Sequence, residues 1–95
     1  MNAMYNFHWD ASYSNTGVAY YNLTVNGMTT QVYGTSHQMP IAENTSVHAE
    51  VTAVDVNGLS SMPATIDFMV PDYIEPLVPP TMPGNFGADF MNWMV

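Results

Sequence analysis

Few side chains in this sequence have chemistry to offer. Three histidines, His8, His37 and His48, are its only imidazoles, the side chains most often found on zinc and other transition metals. No two stand at His-x-His or His-x-x-x-His spacing. The alternation around them puts His8 and His48 on the outward faces of different strands and His37 in the inward register of a third, so no metal site is expected. Asp10, Asp55 and Asp72 fall near loops, where carboxylates can surround calcium, but none belongs to an Asp-x-Asp-x-Asp loop; a calcium held between sandwich loops stays open as a lesser alternative. Catalysis has less to work with. There is no cysteine, no serine in a Gly-x-Ser-x-Gly elbow, and only Glu43 and Glu50 as glutamates before the C-terminal tail. The expectation is a non-enzymatic protein with no catalytic residues, no metal and no cofactor.

Charge narrows the partners. Five Asp and three Glu face no Lys or Arg, a formal charge of −8 from 8% charged residues. Nucleic-acid binding is not expected, because phosphate affinity comes chiefly from Lys and Arg. Anionic membrane surfaces are disfavoured for the same reason. The expected partner is protein, either neighbouring copies or a larger assembly protein with a basic patch, drawn by a field that salt screens. No stretch approaches the ~20 apolar residues of a membrane-spanning helix. The start, MNAMYNFHWDAS, lacks the basic and apolar regions of a secretory signal.

The elements that would carry these residues are strands. YNFHWDA alternates Tyr5, Phe7, Trp9 and Ala11 against Asn6, His8 and Asp10. After a turn in SYSNTG, VAYYNLTV sets Tyr21, Leu23 and Val25 on one face. Asn26-Gly27 is a two-residue hairpin signal, since both central positions of a type I′ turn need positive φ. MTTQVYG returns, and SHQMPI is a weaker strand that Pro40 must end or leave at an edge. SVHAEVTAVDV points Val47, Ala49, Val51 and Ala53 inward. Asn57-Gly58 turns the chain into ATIDFMV, with Ile66, Phe68 and Val70 facing the core. Six strands by residue 70 predict an all-β antiparallel sandwich over residues 1–71, with Phe7, Trp9, Tyr21, Leu23, Val25, Val47, Val51, Ile66 and Phe68 in its core. Residues 72–84 then read as a Pro-rich extended linker, and 85–95 as an apolar tail.

WDAS, GVAYYNLTVNG and AVDVNGLSS, in that order, resemble the fibronectin type III domain of the kind found in bacterial and phage proteins. The resemblance covers roughly residues 5 to 70 and implies an immunoglobulin-like sandwich. It makes Trp9 the buried tryptophan of strand B and Tyr21 the tyrosine of strand C. Two departures stand out. Val47 occupies a position near the start of strand F where the family usually has tyrosine. Only four residues precede Tyr5, so the strand A that should lie beside strand B is missing from the N-terminus. PPTMPGNF resembles the linker and first strand that introduce such a domain, here at the C-terminal end.

That tail draws the functional expectation. Phe86, Phe90, Met91, Trp93, Met94 and Val95 are a liability in water and are read as partner-binding. The tail can fold back on its own domain, since the steps from Val70 to Asn85 reach at most ~50 Å. It can instead complete a neighbour's sheet, bind another protein, or be the stub of a following domain; an intermolecular role is the leading expectation. Tyr13, Tyr20 and Tyr33 offer a lesser, sugar-binding alternative. The Asn22-Leu23-Thr24 and Asn44-Thr45-Ser46 sequons are read as chance, and the nine methionines as core filler and tail contacts. A module type common outside cells, without a leader and with a clamp-like tail, fits a phage virion: capsid decoration or cement, or a tail or fibre protein. The alternative is an extracellular spacer or carbohydrate-binding module of a secreted bacterial enzyme or adhesin.

Overall fold

Alternating apolar residues give strands that each bury one face. The computed structural model describes residues 1–73 and 86–94, and among these it contains seven strands and no helix. They are β1 (Asn2–His8), β2 (Val18–Val25), β3 (Met28–Val32), β4 (Ser36–Ala42), β5 (Ser46–Asp55), β6 (Ala64–Met69) and β7 (Gly87–Met94). Two antiparallel sheets result, with strand orders β4-β1-β7 and β3-β2-β5-β6. Their inner faces share one core, in which Ala3, Tyr5 and Phe7 of β1 meet Tyr21, Leu23 and Val25 of β2 and Val47, Ala49 and Val51 of β5. The arrangement is a β-sandwich.

Several elements differ from the sequence pattern in instructive ways. β1 begins at Asn2, not Tyr5, because Asn2 to Met4 pair on both sides, with Pro40 to Ala42 and with Asn92 to Met94. Trp9 lies past the end of the strand, yet its side chain is buried and its backbone N–H donates to the Thr35 carbonyl at 3.0 Å. β4 carries Pro40 and stands at a sheet edge, where its missing N–H leaves no ladder bond broken. Ile66 is buried, whereas Phe68 is only half-buried, because β6 is itself an edge strand; its ring still packs on Tyr5 and Phe7 at 5.1 and 6.2 Å. The seventh strand comes from the tail. The Pro-rich linker falls outside the described residues apart from Asp72 and Tyr73, as do Asn85 and Val95.

The β2–β3 turn does more than reverse the chain. Asn26 and Gly27 have φ of 49° and 86°, the left-handed pair of a tight hairpin. The Asn26 amide then ties that turn to β5: its Oδ1 accepts the His48 N–H at 2.8 Å, and its Nδ2 donates to the Ser46 carbonyl at 3.0 Å. The backbone N–H of Asn26 adds a bond to the His48 carbonyl at 2.9 Å. Asn26→Ala loses the amide bonds and strains the left-handed backbone, and it should lower the urea unfolding free energy by about 2 kcal/mol. Asn26→Gly, which keeps the backbone at ease, should lose roughly half as much. Equal losses in the two variants would mean that only the amide matters.

Candidate functional site

The candidate site is the seam where β7 lies along β1. β7 pairs antiparallel with β1 from His8↔Gly87 to Asn2↔Met94. Regular alternation cannot place both Phe90 and Trp93 on one face, since they stand three residues apart. A bulge resolves this. Tyr5 pairs with Phe90 and Met4 with Asn92, so Met91 is an extra residue that shifts the alternation by one. Ala88, Phe90 and Trp93 consequently face the core while Met91 and Met94 face out, each a little under half exposed.

Rings secure both ends of the strand. Phe86 packs on Trp9 at 6.0 Å and Phe7 at 6.4 Å. Phe90 meets Tyr5 edge-on at 6.0 Å and Trp93 at 5.5 Å, and Trp93 meets Tyr73 at 5.1 Å. Tilted and edge-on contacts at these separations are the favourable aromatic geometries. Of the residues expected to engage a partner, Phe86 and Trp93 are thus buried in the chain's own core, and Phe90 is half-buried. Met91 and Met94 remain on the surface, and Val95 lies outside the described residues. The His8 Nε2 approaches Asp89 Oδ2 to 3.3 Å across the seam, without hydrogen-bond alignment. The pair carries attraction only when His8 is protonated.

Where β7 ends, three segments converge on one carboxylate. Glu43, just past β4, pairs with the terminal ammonium of Met1 and accepts a hydrogen bond from the Tyr73 backbone. The ammonium beside it is the main cause holding the Glu43 carboxyl below its ordinary value. Residues so far apart in sequence left no spacing signal, and sequence reasoning gave Glu43 no such role.

A second polar group lies on the outer face of the four-stranded sheet. His48 Nδ1 stands 2.7 Å from Asp67 Oδ1, and its Nε2 stands 3.5 Å from Glu50 Oε1. Hydrogen bonding to Asp67, then to Glu50, raises the His48 pKa. The carboxylates sit at opposite ring nitrogens, so they favour the imidazolium form and do not converge on one ion. Among the described residues no three His, Asp or Glu side chains gather as a metal set. Tyr20 and Tyr33 come together edge-on at 6.3 Å, with the Tyr33 hydroxyl accepting from Gln31 Nε2 at 2.6 Å. Tyr13 instead lines a groove with Ser14, Asn15, Val18, Asp55 and Leu59. That groove measures about 550 Å³, whereas a pocket of about 150 Å³ between Trp9, Tyr21, Phe86 and Ser61 is below the ~300 Å³ at which ligand pockets begin.

Comparison with protein-family models, with curated proteins and with solved structures finds no match to this chain.

Two outcomes follow from this geometry. Trp93→Ala should cost about 3 kcal/mol in urea unfolding, because it removes a buried ring between Phe90 and Tyr73. Met91→Ala, at the exposed bulge, should change stability by less than about 0.5 kcal/mol. The pH dependences should oppose each other. A raised His48 pKa adds stability that is full below its ordinary value of 6.5 and fades as pH climbs through the folded-state value. A lowered Glu43 pKa adds stability that is full above its ordinary 4.5 and fades as pH falls through the folded-state value. Melting temperatures between acid and mildly alkaline pH should therefore lose the alkaline decline in His48→Gln and part of the acid decline in Glu43→Gln.

Proposed function

We propose that this chain is a fibronectin type III-like module, circularly permuted so that its first strand comes last, and that it serves as a non-enzymatic structural protein. The support for the family reading is positional. The place beside β1 that the resemblance gives to strand A is filled by β7, and Asn26-Gly27 and Asn57-Gly58 turn the chain where the resemblance puts its hairpins. The setting proposed is a phage particle, where the module decorates or cements a capsid or builds a tail or fibre.

One observation carries the reading. The strand that completes the three-stranded sheet lies at an edge and is joined to β6 through a long Pro-rich connection. Such a strand is a docking element, with β1 as its receptor, and strand addition supplies both backbone hydrogen bonds and side-chain pockets. The acidic surface favours a basic neighbour, and Met91 and Met94 offer an adaptable contact on the outer face of the docked strand.

A second reading rests on the Tyr20–Tyr33 pair. Tyr33 is 76% exposed beside Gln31, and exposed aromatic rings with amide neighbours are a common sugar platform. The carbohydrate-binding or spacer module of a secreted protein remains the alternative on that ground. Mass spectrometry of purified virus particles from the source of the sequence separates the two. Stoichiometric recovery of this chain in the particles supports the structural role. Absence from particles, with polysaccharide retention that Tyr33→Ala abolishes, supports the sugar-binding one.

A further inference from the structure

The docking strand has two receptors of identical chemistry: β1 of its own chain and β1 of another copy. Every pairing and ring contact that β7 makes with residues 1–73 can form in either way. Three features bear on the choice. Among the described residues β7 has β1 as its sole strand neighbour, so it leaves without breaking any other described ladder. Tyr73 packs against Trp93, so the connection starts at the pole where β7 finishes and must enter β7 at the opposite pole, beside Trp9 and His8. The chain between Tyr73 and Phe86 includes Pro76, Pro79, Pro80 and Pro83.

The lengths then matter. β7 itself spans about 25 Å at strand rise. A Pro-rich chain favours the extended polyproline rise, at which the steps from Tyr73 to Phe86 cover about 40 Å. Closure within one chain obliges that connection to give up roughly a third of its preferred length. A connection to a second copy placed head to tail does not.

We propose that β7 exchanges between copies, each chain inserting its C-terminal strand beside β1 of the next. This deepens the structural reading above and rests on it. The partner is a second copy of this chain, docked in the register Asn6↔Asp89 and Tyr5↔Phe90 with Met91 as the bulge. Exchange has a charge signature. Two chains of formal charge −8 repel, so salt should promote exchange, whereas salt weakens docking on a basic partner.

The absence of cysteine makes the test clean. Asn6→Cys and Asp89→Cys place thiols on paired positions of adjacent strands, within reach of a disulfide. The two single variants of the full chain are mixed, unfolded, refolded together and oxidised across a range of protein and salt concentrations. Exchange predicts an Asn6→Cys to Asp89→Cys heterodimer well above the random-collision proportion, rising with both concentration and salt. The double variant, alone and dilute, should close its disulfide within one chain, which verifies that both substitutions fold and keep the register. Replacing 74–85 by a longer Gly/Ser segment removes the proline stiffness and should abolish the heterodimer while keeping the in-chain bond. A bond that forms only within the double variant, with no heterodimer at any concentration or salt, overturns exchange. That failure leaves the structural role intact, since recovery from particles decides it separately.

Discussion

The structure depends on β1 being paired along both edges. It is the central strand of its sheet, and Ala3, Tyr5 and Phe7 are fully buried between β4 and β7. Only β4 lies close in sequence terms to the body of the domain; the other flank is supplied by the last strand of the chain. Without that strand, a row of backbone donors and acceptors beside these aromatic residues would face water, an arrangement that invites pairing with whatever edge is near. The bulge at Met91, the rings of Phe86 and Trp93 at either end, and the contact with Tyr73 all serve this one seam.

A chain without Lys or Arg must organise its polar surface differently from most proteins. Positive charge is available from the terminal ammonium and from protonated histidines, and among the described residues the ammonium and two of the three histidines are placed against carboxylates: Met1 on Glu43, His8 near Asp89, His48 between Asp67 and Glu50. All but the His48–Glu50 contact, which lies within β5, join different strands or their flanks. Such exposed pairs contribute modestly and are screened by salt, so the fold rests chiefly on its apolar core, with electrostatics trimming self-repulsion. The Met1–Glu43–Tyr73 meeting point has an added consequence. It holds the start of β1, the end of β4 and the exit from β6 together, and so sets the pole from which the connection to β7 departs.

That geometry gives the seam its functional interest. Among the described residues β7 stands at a sheet edge and pairs with β1 alone, so its ladder is separable from those of the other strands. In the proposed exchange the same backbone ladder would serve folding in one arrangement and assembly in another, with protein concentration and ionic strength shifting the balance between them.

Much of the sandwich was legible in the sequence because period-two alternation is a local property. Tyr21, Leu23 and Val25, or Val47, Val51 and Ile66, declare their buried face within a few residues, and Asn26-Gly27 declares its turn through backbone sterics alone. Composition likewise determined that charge runs one way and that no thiolate chemistry is available. The tail could be recognised as apolar, but not its inward set: Phe90 and Trp93 share a face only through the bulge that pairing with β1 imposes. Glu43 acquired its role from Met1 and Tyr73, and Asn26 its amide bonds from Ser46 and His48, contacts between segments that no local pattern encodes. Local alternation set which strands would form. Only the tertiary structure decided that the last of them closes the edge of the first, because strand partners are chosen by the edge left unpaired once the other strands have packed.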